Sequence, residues 1–416
     1  MNNPPPAARR DLEFFPVQHQ GQQFVLIRDH LDLVEEGKAV GLPLYRLMTL
    51  LDGTTTVRDL QMELMRQQGG VLVGADEINN LLVHLDESFL LDSDRFREAR
   101  ARIVADFTSR RTRPCSHCGK SYPENPLDLR NRLDEIVGSQ PDFPEPEGRL
   151  SALVAPHIDL NVGYRGYSRA YRLLKHTSPS RVIILGVGHQ LQDALFSLTD
   201  KDFETPLGTV RSDQTQVALL RDAGRHSIAS DDFIHRSEHS IEFQVIFLQH
   251  LLKDRPFTII PILCGSLQSC LSQYTREAYR DRAGPFLDRL KQTLADPDEE
   301  TIVVAGVDLS HTGPKFGHDT PAIQMEYSSR EHDQRLLEYL TRLDADSFWE
   351  ESGRVKDRFN VCGFSALSCL LEVLPPCVGR VLHYEIWHEE PTRSAVSFAS
   401  LAFFMTGDAA GREHDR

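Results

Sequence analysis

The sequence predicts an α/β protein in which helices flank a central sheet that is mixed or mainly parallel, preceded by a small N-terminal domain. Two observations predict this fold. From residue 151 onward, short runs rich in β-branched residues alternate with amphipathic helical stretches, which is typical of strand–helix–strand units. The residues before 96 lack this alternation, and a length of 416 residues exceeds that of one typical domain.

Residues 1–95 are predicted to form a winged-helix-like module. QFVLIRD at 23–29 alternates like a strand, and LPLYRLMTLLDG at 42–53 has helical apolar spacing that stops at a glycine. TTTVRDLQMELMRQQGG at 54–70 opens with threonines suited to cap a helix, and EINNLLVHLDESFLL at 77–91 is amphipathic. Because these segments are not basic, a module that contacts another protein is favoured over one that binds DNA.

Residues 96–111 are charged and rich in arginine and are predicted to be a linker, whereas 409–416 are predicted to be a disordered tail. The α/β domain is therefore predicted at 112–408. Its β-branched runs are RVIILG (181–186), FTIIPILCG (257–265), TIVVAGVDLS (301–310), RVLHYEIW (380–387) and SFASLAFF (397–404).

The composition argues against two classes of partner. The net charge of 46 − 61 = −15 repels phosphate backbones and disfavours nucleic-acid binding. The start has no apolar core of signal-peptide length, and the apolar run from 395 is too short and too polar to span a bilayer. Seven cysteines form no regular framework, which favours reduced thiols. We expect a cytoplasmic protein with no nucleic-acid or membrane partner.

Side chains that can bind metal or move protons recur just beyond predicted strands or at the starts of helices. They are His157 after SALVAP, His189 after RVIILGVG, Asp308 and His311 after TIVVAGV, Cys362 in NVCG, and Glu238 with His239 in SEHSIE. Each alone has a structural explanation, such as a hydrogen-bonded histidine, a helix cap or a small buried thiol. Because ligands of open α/β sheets bind beyond the carboxyl ends of strands, the recurrence favours one shared site.

The motif CSHC at 115–118 is a second candidate. One CxxC without a second pair is a weak zinc signal. No thioredoxin-like strand and helix adjoin it, so a structural or incidental role is favoured over a redox role.

Several blocks together resemble the Memo family, also called component B of the AmmeMemoRadiSam system. They are SHCGKSYP (116–123), APHIDLNVGY (155–164), RVIILGVGH (181–189), FETPLGTVRSD (203–213), EHSIEFQ (238–244), FTIIPILCG (257–265), VDLSHTG (307–313) and VCG (361–363). The resemblance covers roughly residues 112–405. The N-terminal module resembles PqqD-like peptide-binding proteins of winged-helix fold, mainly through LDGTTTVRDL at 51–60.

The resemblance implies a fold similar to the class III extradiol dioxygenases and a metal site of two histidines and one cysteine. These ligands fall on His157, His189 and Cys362. Two imidazoles and a thiolate suit Fe(II), the first choice here, or else Cu or Zn. No cofactor other than a transition-metal ion is expected.

The same resemblance places further polar residues beside the metal. His311 is the expected general acid or base, and Asp308 is expected to orient it from one helical turn away if the loop is helical. These two are the candidate catalytic residues, whereas Glu238 and His239 are expected to support the ligands.

These features predict a metal-binding protein of Memo type that is a non-haem metal-dependent oxidoreductase. It would act on an unidentified small molecule, or with a radical-SAM or other protein partner that the N-terminal module contacts. The alternative is a non-catalytic metal-binding or peptide-binding scaffold with a vestigial site. Ile158, Asp159, Gln190 and Cys118 differ from the family motifs, so the motifs leave the substrate open.

Overall fold

The computed structural model describes residues 4–67, 69–70, 72–141, 148–253 and 255–405, so the tail predicted at 409–416 lies outside the described residues. The chain divides into two compact units. Unit 1 comprises Met1–Ser109 with Glu390–Thr392, and unit 2 comprises Arg110–Glu389 with Arg393–Arg416. Among the described helices, none combines the length and the apolar character needed to cross a membrane.

Unit 1 contains a three-stranded antiparallel sheet and helices around a small apolar core. The strands are β1 (Glu13–His19), β2 (Gln22–Arg28) and β3 (Ala39–Gly41), and the helices are α1 (Leu42–Leu50), α2 (Val57–Gln67), α3 (Ala75–Glu87) and α4 (Asp94–Ser109). The sequence predicts only β2 and the first three helices. Helix α4 occupies most of the predicted linker 96–111.

Unit 2 is built on a large mixed sheet, as predicted. Its strands are β4 (Thr112–Arg113), β5 (Leu150–Ala155), β6 (Arg181–Val187), β7 (Phe196–Leu198), β8 (Asp202–Thr205), β9 (Gly208–Ser212), β10 (Thr258–Cys264), β11 (Thr301–Gly306), β12 (His311–Thr312), β13 (Cys377–Glu389) and β14 (Ser394–Met405). Their order is β12-β14-β5-β11-β6-β10-β9-β8-β4, with β13 paired to β14 and β7 to β10. The central strands β5, β11, β6 and β10 run parallel.

Helices cover both faces of this sheet. They are α5 (Pro126–Gly138), α6 (Tyr164–Tyr171), α7 (Gln214–Ala223), α8 (His239–Leu251), α9 (Leu267–Cys270), α10 (Arg276–Leu294), α11 (Ala322–Thr341), α12 (Ala345–Val355) and α13 (Phe364–Val373). Successive side chains of a strand point to opposite faces. Val182 and Ile184 of β6 therefore pack with α5, α6 and α8, whereas Ile183 and Leu185 pack with α10, α12 and α13. Burial on both faces explains why β6 is an unbroken apolar run after Arg181.

A buried ion pair fastens the start of unit 2 to helix α8. The side chains of Arg113 in β4 and Glu242 in α8 are both fully buried and form an ion pair. The same carboxylate accepts hydrogen bonds from the backbone N–H groups of Ser116 and His117 and from the Tyr122 hydroxyl. Burial alone would raise the pKa of Glu242, but the electrostatic effects of Arg113 and His117 and the hydrogen bond from Tyr122 outweigh it and lower the pKa to about 2.

We expect Arg113→Met to destabilise the protein by about 3–5 kcal/mol at neutral pH, because it leaves the Glu242 charge buried without its partner. The depressed pKa of Glu242 contributes stability that is present above pH 4.5 and lost as the pH falls toward 2. The difference in unfolding free energy between wild type and variant should therefore narrow on acidification below pH 4.5. Urea unfolding measured at several pH values checks this.

The matched control is Arg225→Met, which removes an Arg–Asp pair whose side chains are 74% and 68% exposed. Its effect should stay within about 1 kcal/mol at every pH, because exposed ion pairs contribute little. If Arg113→Met changed the unfolding free energy by an equally small amount, or if its effect grew in acid, the buried ion pair would not have the stabilising role assigned to it.

Candidate metal centre

The register of the parallel strands brings three candidate residues to one edge of the sheet. In β11, Gly306 lies opposite Ala155 of β5 on one side and Gly186 of β6 on the other. Strand β5 ends at Ala155, β11 at Gly306 and β6 at Val187. His157, Asp308 and His189 each lie two residues beyond the end of their strand, so they emerge side by side at the carboxyl edge, where α/β sheets bind ligands.

His157 is buried, and its hydrogen bonds select one ring nitrogen for metal binding. Its Nδ1 lies 2.9 Å from the carbonyl oxygen of Gly306, to which an Nδ1–H donates. Nε2 is therefore the atom that can bind an ion. This atom lies 3.6 Å from Sγ of Cys362 and 3.7 Å from Oδ2 of Asp308.

His189 is oriented by Glu238, the N-cap residue of α8. Oε2 of Glu238 lies 2.9 Å from Nδ1 of His189, while Oε1 accepts the backbone N–H of Ser240 at 2.9 Å. Burial alone would raise the pKa of Glu238, but His189 and His239 outweigh it and hold the pKa well below its usual range. The ionised carboxylate accepts the Nδ1–H of His189 and leaves Nε2 as the atom that can bind an ion.

Cys362 comes from the turn before α13, which approaches the end of β11 closely. The N–H of Gly363 donates to the carbonyl oxygen of Asp308 at 3.1 Å. A Cβ at Gly363 would lie only 2.6 Å from that oxygen and 2.6 Å from Cβ of Val307, so glycine permits the approach. Burial, and then the Asp308 charge, raise the pKa of the Cys362 thiol well above its usual value, so metal binding must displace a proton.

These three side chains can share one ion. One ligand atom each from His157, His189 and Cys362 lies within 4.8 Å of the other two. Ligand atoms about 2.0–2.3 Å from a common ion are separated by distances of this order. Two imidazoles and a thiolate are a donor set for transition metals, not for Mg²⁺ or Ca²⁺. His157, His189 and Cys362 thus fit a transition-metal ion without choosing among Fe, Cu and Zn.

Asp308 and His311 lie beside this centre, but not in the arrangement expected from the sequence. Residues 307–310 are not helical, and Asp308 accepts the backbone N–H of His157 at 3.1 Å. Nδ1 of His311 lies 2.9 Å from the carbonyl oxygen of Leu309. The carboxylate of Asp308 therefore positions His157, whereas the ring of His311 bonds a carbonyl of its own loop.

One further imidazole lines the centre, and a second lies behind it. The ring of His239 lies 5.1 Å from the ring of His157 and 5.0 Å from that of His189, closer than a purely supporting role requires. His117 follows, with its ring 5.6 Å from that of His239. His117 was not predicted as a site residue, and the signal that could have found it is its position inside CSHC, at the start of SHCGKSYP.

Removal from water controls the charge of the lining histidines. Burial lowers the pKa of His239 to about 4, against the opposing effect of Glu238. Burial also lowers the pKa of His311 to about 4, although Asp308 acts in the opposite direction. Both rings are therefore neutral at neutral pH, so they can accept protons and do not repel a bound cation.

Comparison with known proteins agrees with the family resemblance of the sequence blocks. A family model described as Memo-like protein matches residues 113–402, which include every residue of the centre. A MEMO1 family protein of Aquifex aeolicus is 30% identical over 400 residues, covering 94% of this chain and 99% of that protein. A MEMO1 family protein of Thermus thermophilus is 28% identical over 348 residues, covering 83% of this chain and 98% of that protein. With 94% of the chain matched, the Aquifex aeolicus alignment includes most of unit 1, which the family model leaves out.

We expect the wild-type protein to bind one transition-metal ion per chain, and His157→Ala, His189→Ala and Cys362→Ser each to weaken binding more than about 100-fold. Loss of a residue that only supports a ligand already costs about 10–100-fold, and loss of a ligand costs more. Titration of the metal-free protein with Zn²⁺ or Co²⁺ measures this. His226→Ala, which changes an exposed histidine, is the matched control and should bind as wild type does. Unchanged affinity in any of the three ligand variants would exclude that residue as a ligand.

Replacement of Glu238 by glutamine should weaken metal binding by about 10–100-fold, because a neutral amide no longer raises the basicity of His189. Glutamine keeps an oxygen for the Ser240 N–H, so the helix cap survives. The circular dichroism spectrum and the unfolding free energy in urea should therefore change less than the metal affinity does. A variant with wild-type affinity would show that Glu238 only caps α8.

Proposed function

The chain belongs to the Memo-like protein family, and from this premise we propose that unit 2 is a metal-dependent oxidoreductase that acts on a small molecule. The observation that carries the proposal is the convergence of His157, His189 and Cys362 within 4.8 Å, next to a neutral His311. A site built only to hold structural metal is usually closed by a fourth protein ligand. Here three candidate ligands lie beside a proton-accepting side chain. This arrangement instead supports a site in which a coordination position is left for a substrate.

When bound, the metal would supply redox chemistry and a coordination position for the small molecule. We propose Fe(II) as the working ion, with Cu as the alternative redox metal and Zn as a redox-inactive substitute. The thiolate of Cys362 would add negative charge to the ligand set, which favours softer metals than a carboxylate does. This feature separates the centre from sites with two histidines and a carboxylate.

The protein's own residues would hold the ligand geometry and manage protons. Asp308 fixes the backbone of His157, and Gly306 fixes its ring. Because Nδ1 of His311 donates to Leu309, Nε2 of His311 is the atom that can accept a proton from a bound molecule. His239 stacks on His189 and gives the site a second neutral imidazole wall. The reaction class that this supports is an oxidation coupled to the removal of a substrate proton.

Unit 1 would serve as a protein-contact module rather than as part of the chemistry. Its described residues form a separate compact core around a small antiparallel sheet, and its helices are not strongly basic. We propose that its partner is a protein, with a radical-SAM enzyme as the first choice that the family resemblance suggests. The small-molecule substrate stays unassigned.

We expect His311→Asn to lower turnover by about 100-fold or more while metal affinity stays within a few-fold of wild type, since proton transfer by a positioned side chain contributes about 10²–10⁴-fold. The protein is purified without oxygen, loaded with Fe(II) or Cu, and assayed by oxygen uptake on a panel of small phenols, catechols and other reductants. His226→Asn, an exposed histidine, is the control and should retain activity.

Equal turnover by wild type and His311→Asn would remove His311 from the mechanism. No turnover by fully loaded wild-type protein on the whole panel would instead favour the alternative function, a metal-binding or peptide-binding scaffold without catalysis.

A further inference from the structure

The CSHC turn, residues 115–118, carries a disulfide at the edge of the α/β domain. Cys115 and Cys118 are bonded to each other, whereas Cys264, Cys270 and Cys362 are among the cysteines that remain free thiols. Both bonded residues are half-buried rather than sealed in the core. Partial exposure makes the bond accessible to a small thiol, because exchange begins with attack of a thiolate on one sulfur.

Hydrogen bonds hold this turn in addition to the disulfide. The N–H and Oγ of Ser116 and the N–H of His117 all donate to the buried carboxylate of Glu242. Arg113 also donates to Oγ of Ser116. Because these anchors lie between the two cysteines, we expect the Cα atoms to stay near their 5.8 Å separation after reduction.

The bond contributes less to folding than a disulfide across a long loop does. Its two cysteines are three positions apart in sequence, and the chain entropy that a cross-link removes from the unfolded state grows with the length of the closed loop. A loop this short is near the minimum. The disulfide therefore constrains a turn that Glu242 already fixes. In this it differs from a stabilising disulfide that closes a long loop.

The turn lies next to the candidate metal centre. Its His117 ring packs edge-on against His239, whose ring in turn lies about 5 Å from the rings of His157 and His189. The disulfide thus lies in a turn whose own histidine adjoins the wall of that centre. The disulfide lies in a different part of the sequence from the candidate metal ligands. Thiol–disulfide exchange at its two cysteines requires no metal ion.

We propose that Cys115 and Cys118 form a reversible redox site that exchanges electrons with thiols. A thiolate of the reductant attacks one cysteine sulfur, the Cys115–Cys118 bond breaks, and the departing sulfur takes up a proton. A second thiol of the reductant then attacks the mixed disulfide and releases the other cysteine as a thiol. The pair gains two electrons and two protons, and the two reductant thiols leave joined as a disulfide.

The test titrates the native, metal-free, full-length protein with buffers of graded ratio of reduced to oxidised glutathione. The samples are quenched in acid and blocked with N-ethylmaleimide. Trypsin releases residues 112–120 as one peptide, because it does not cut between Arg113 and Pro114. The label on this peptide should rise from none to two across the series and return to none on reoxidation, while the protein stays folded and its melting temperature falls by no more than a few degrees.

Two outcomes would overturn the proposal. The first is a peptide that stays unlabelled in the native protein across buffers that label it fully in denaturant. The second is loss of the folded state on reduction, which would make the disulfide a structural one. Because the metal plays no part in this measurement, failure of the proposed oxidoreductase function leaves the result unaffected, and the reverse also holds.

Single variants provide the control for the exchange itself. Cys115→Ser and Cys118→Ser each leave one sulfur without its partner, and at least one of them should accumulate a glutathione adduct on peptide 112–120. Absence of an adduct in both variants would show that thiols do not reach the pair and would overturn the proposal. Cys377→Ser, which changes a thiol in β13, should leave the titration of the peptide as in wild type.

Discussion

The parallel register of β5, β11 and β6 is the constraint on which the candidate centre depends. Alignment of Ala155, Gly306 and Gly186 makes the three strands finish together, so residues that lie far apart in sequence emerge side by side. A shift of one residue in such a strand would turn its side chains to the opposite face of the sheet. Because these strands are buried on both faces, a shifted strand would have to fit its side chains into apolar layers of a different shape, and close packing of the two cores opposes this.

Helix α8 connects this edge of the sheet to the rest of the domain. A Cβ at Gly306 would lie 2.5 Å from the carbonyl oxygen of Ser240, so the absence of a side chain lets the first turn of α8 rest on the strand. Glu238 then faces His189, and Glu242, one turn later, faces Arg113 and the CSHC turn. One helix thereby orients a candidate ligand with one carboxylate and anchors a redox-capable turn with the other.

The sequence predicted the sheet and the strand-end histidines because that signal is local and strong. Unbroken β-branched runs mark strands buried on both faces, and the residues that follow them must appear at one edge. The signal failed where tertiary contacts decide. In the arginine-rich stretch 96–111, the few apolar residues at helical spacing are a weak signal among many charges, and burial of Phe96, Ala99 and Phe107 stabilises the helix. Short strands such as β4 and β7 carry no pattern of their own and form only beside a partner.

Long-range geometry also explains what the sequence could not provide at the centre. His117 meets His239 only because Glu242 draws the CSHC turn onto α8 across more than a hundred residues of sequence. The link between Asp308 and His311 was expected from their spacing, which assumed a helical loop. In the structure, that loop is not helical, and the carboxylate of Asp308 contacts His157 instead.

The electrostatics of the centre favour a cation in a way that the ligand geometry alone does not. Asp308 and Glu238 are buried carboxylates, and within the described residues their ion pairs are with histidines, two of which are themselves candidate ligands. Burial lowers the pKa of His239 and keeps that partner neutral at neutral pH, so it does not compensate the negative charge. Buried charge is costly unless it is paired or coordinates a metal. A divalent ion between His157, His189 and Cys362 would balance the Cys362 thiolate and part of this carboxylate charge, which gives the protein an electrostatic reason, beyond the spacing of three atoms, to bind one.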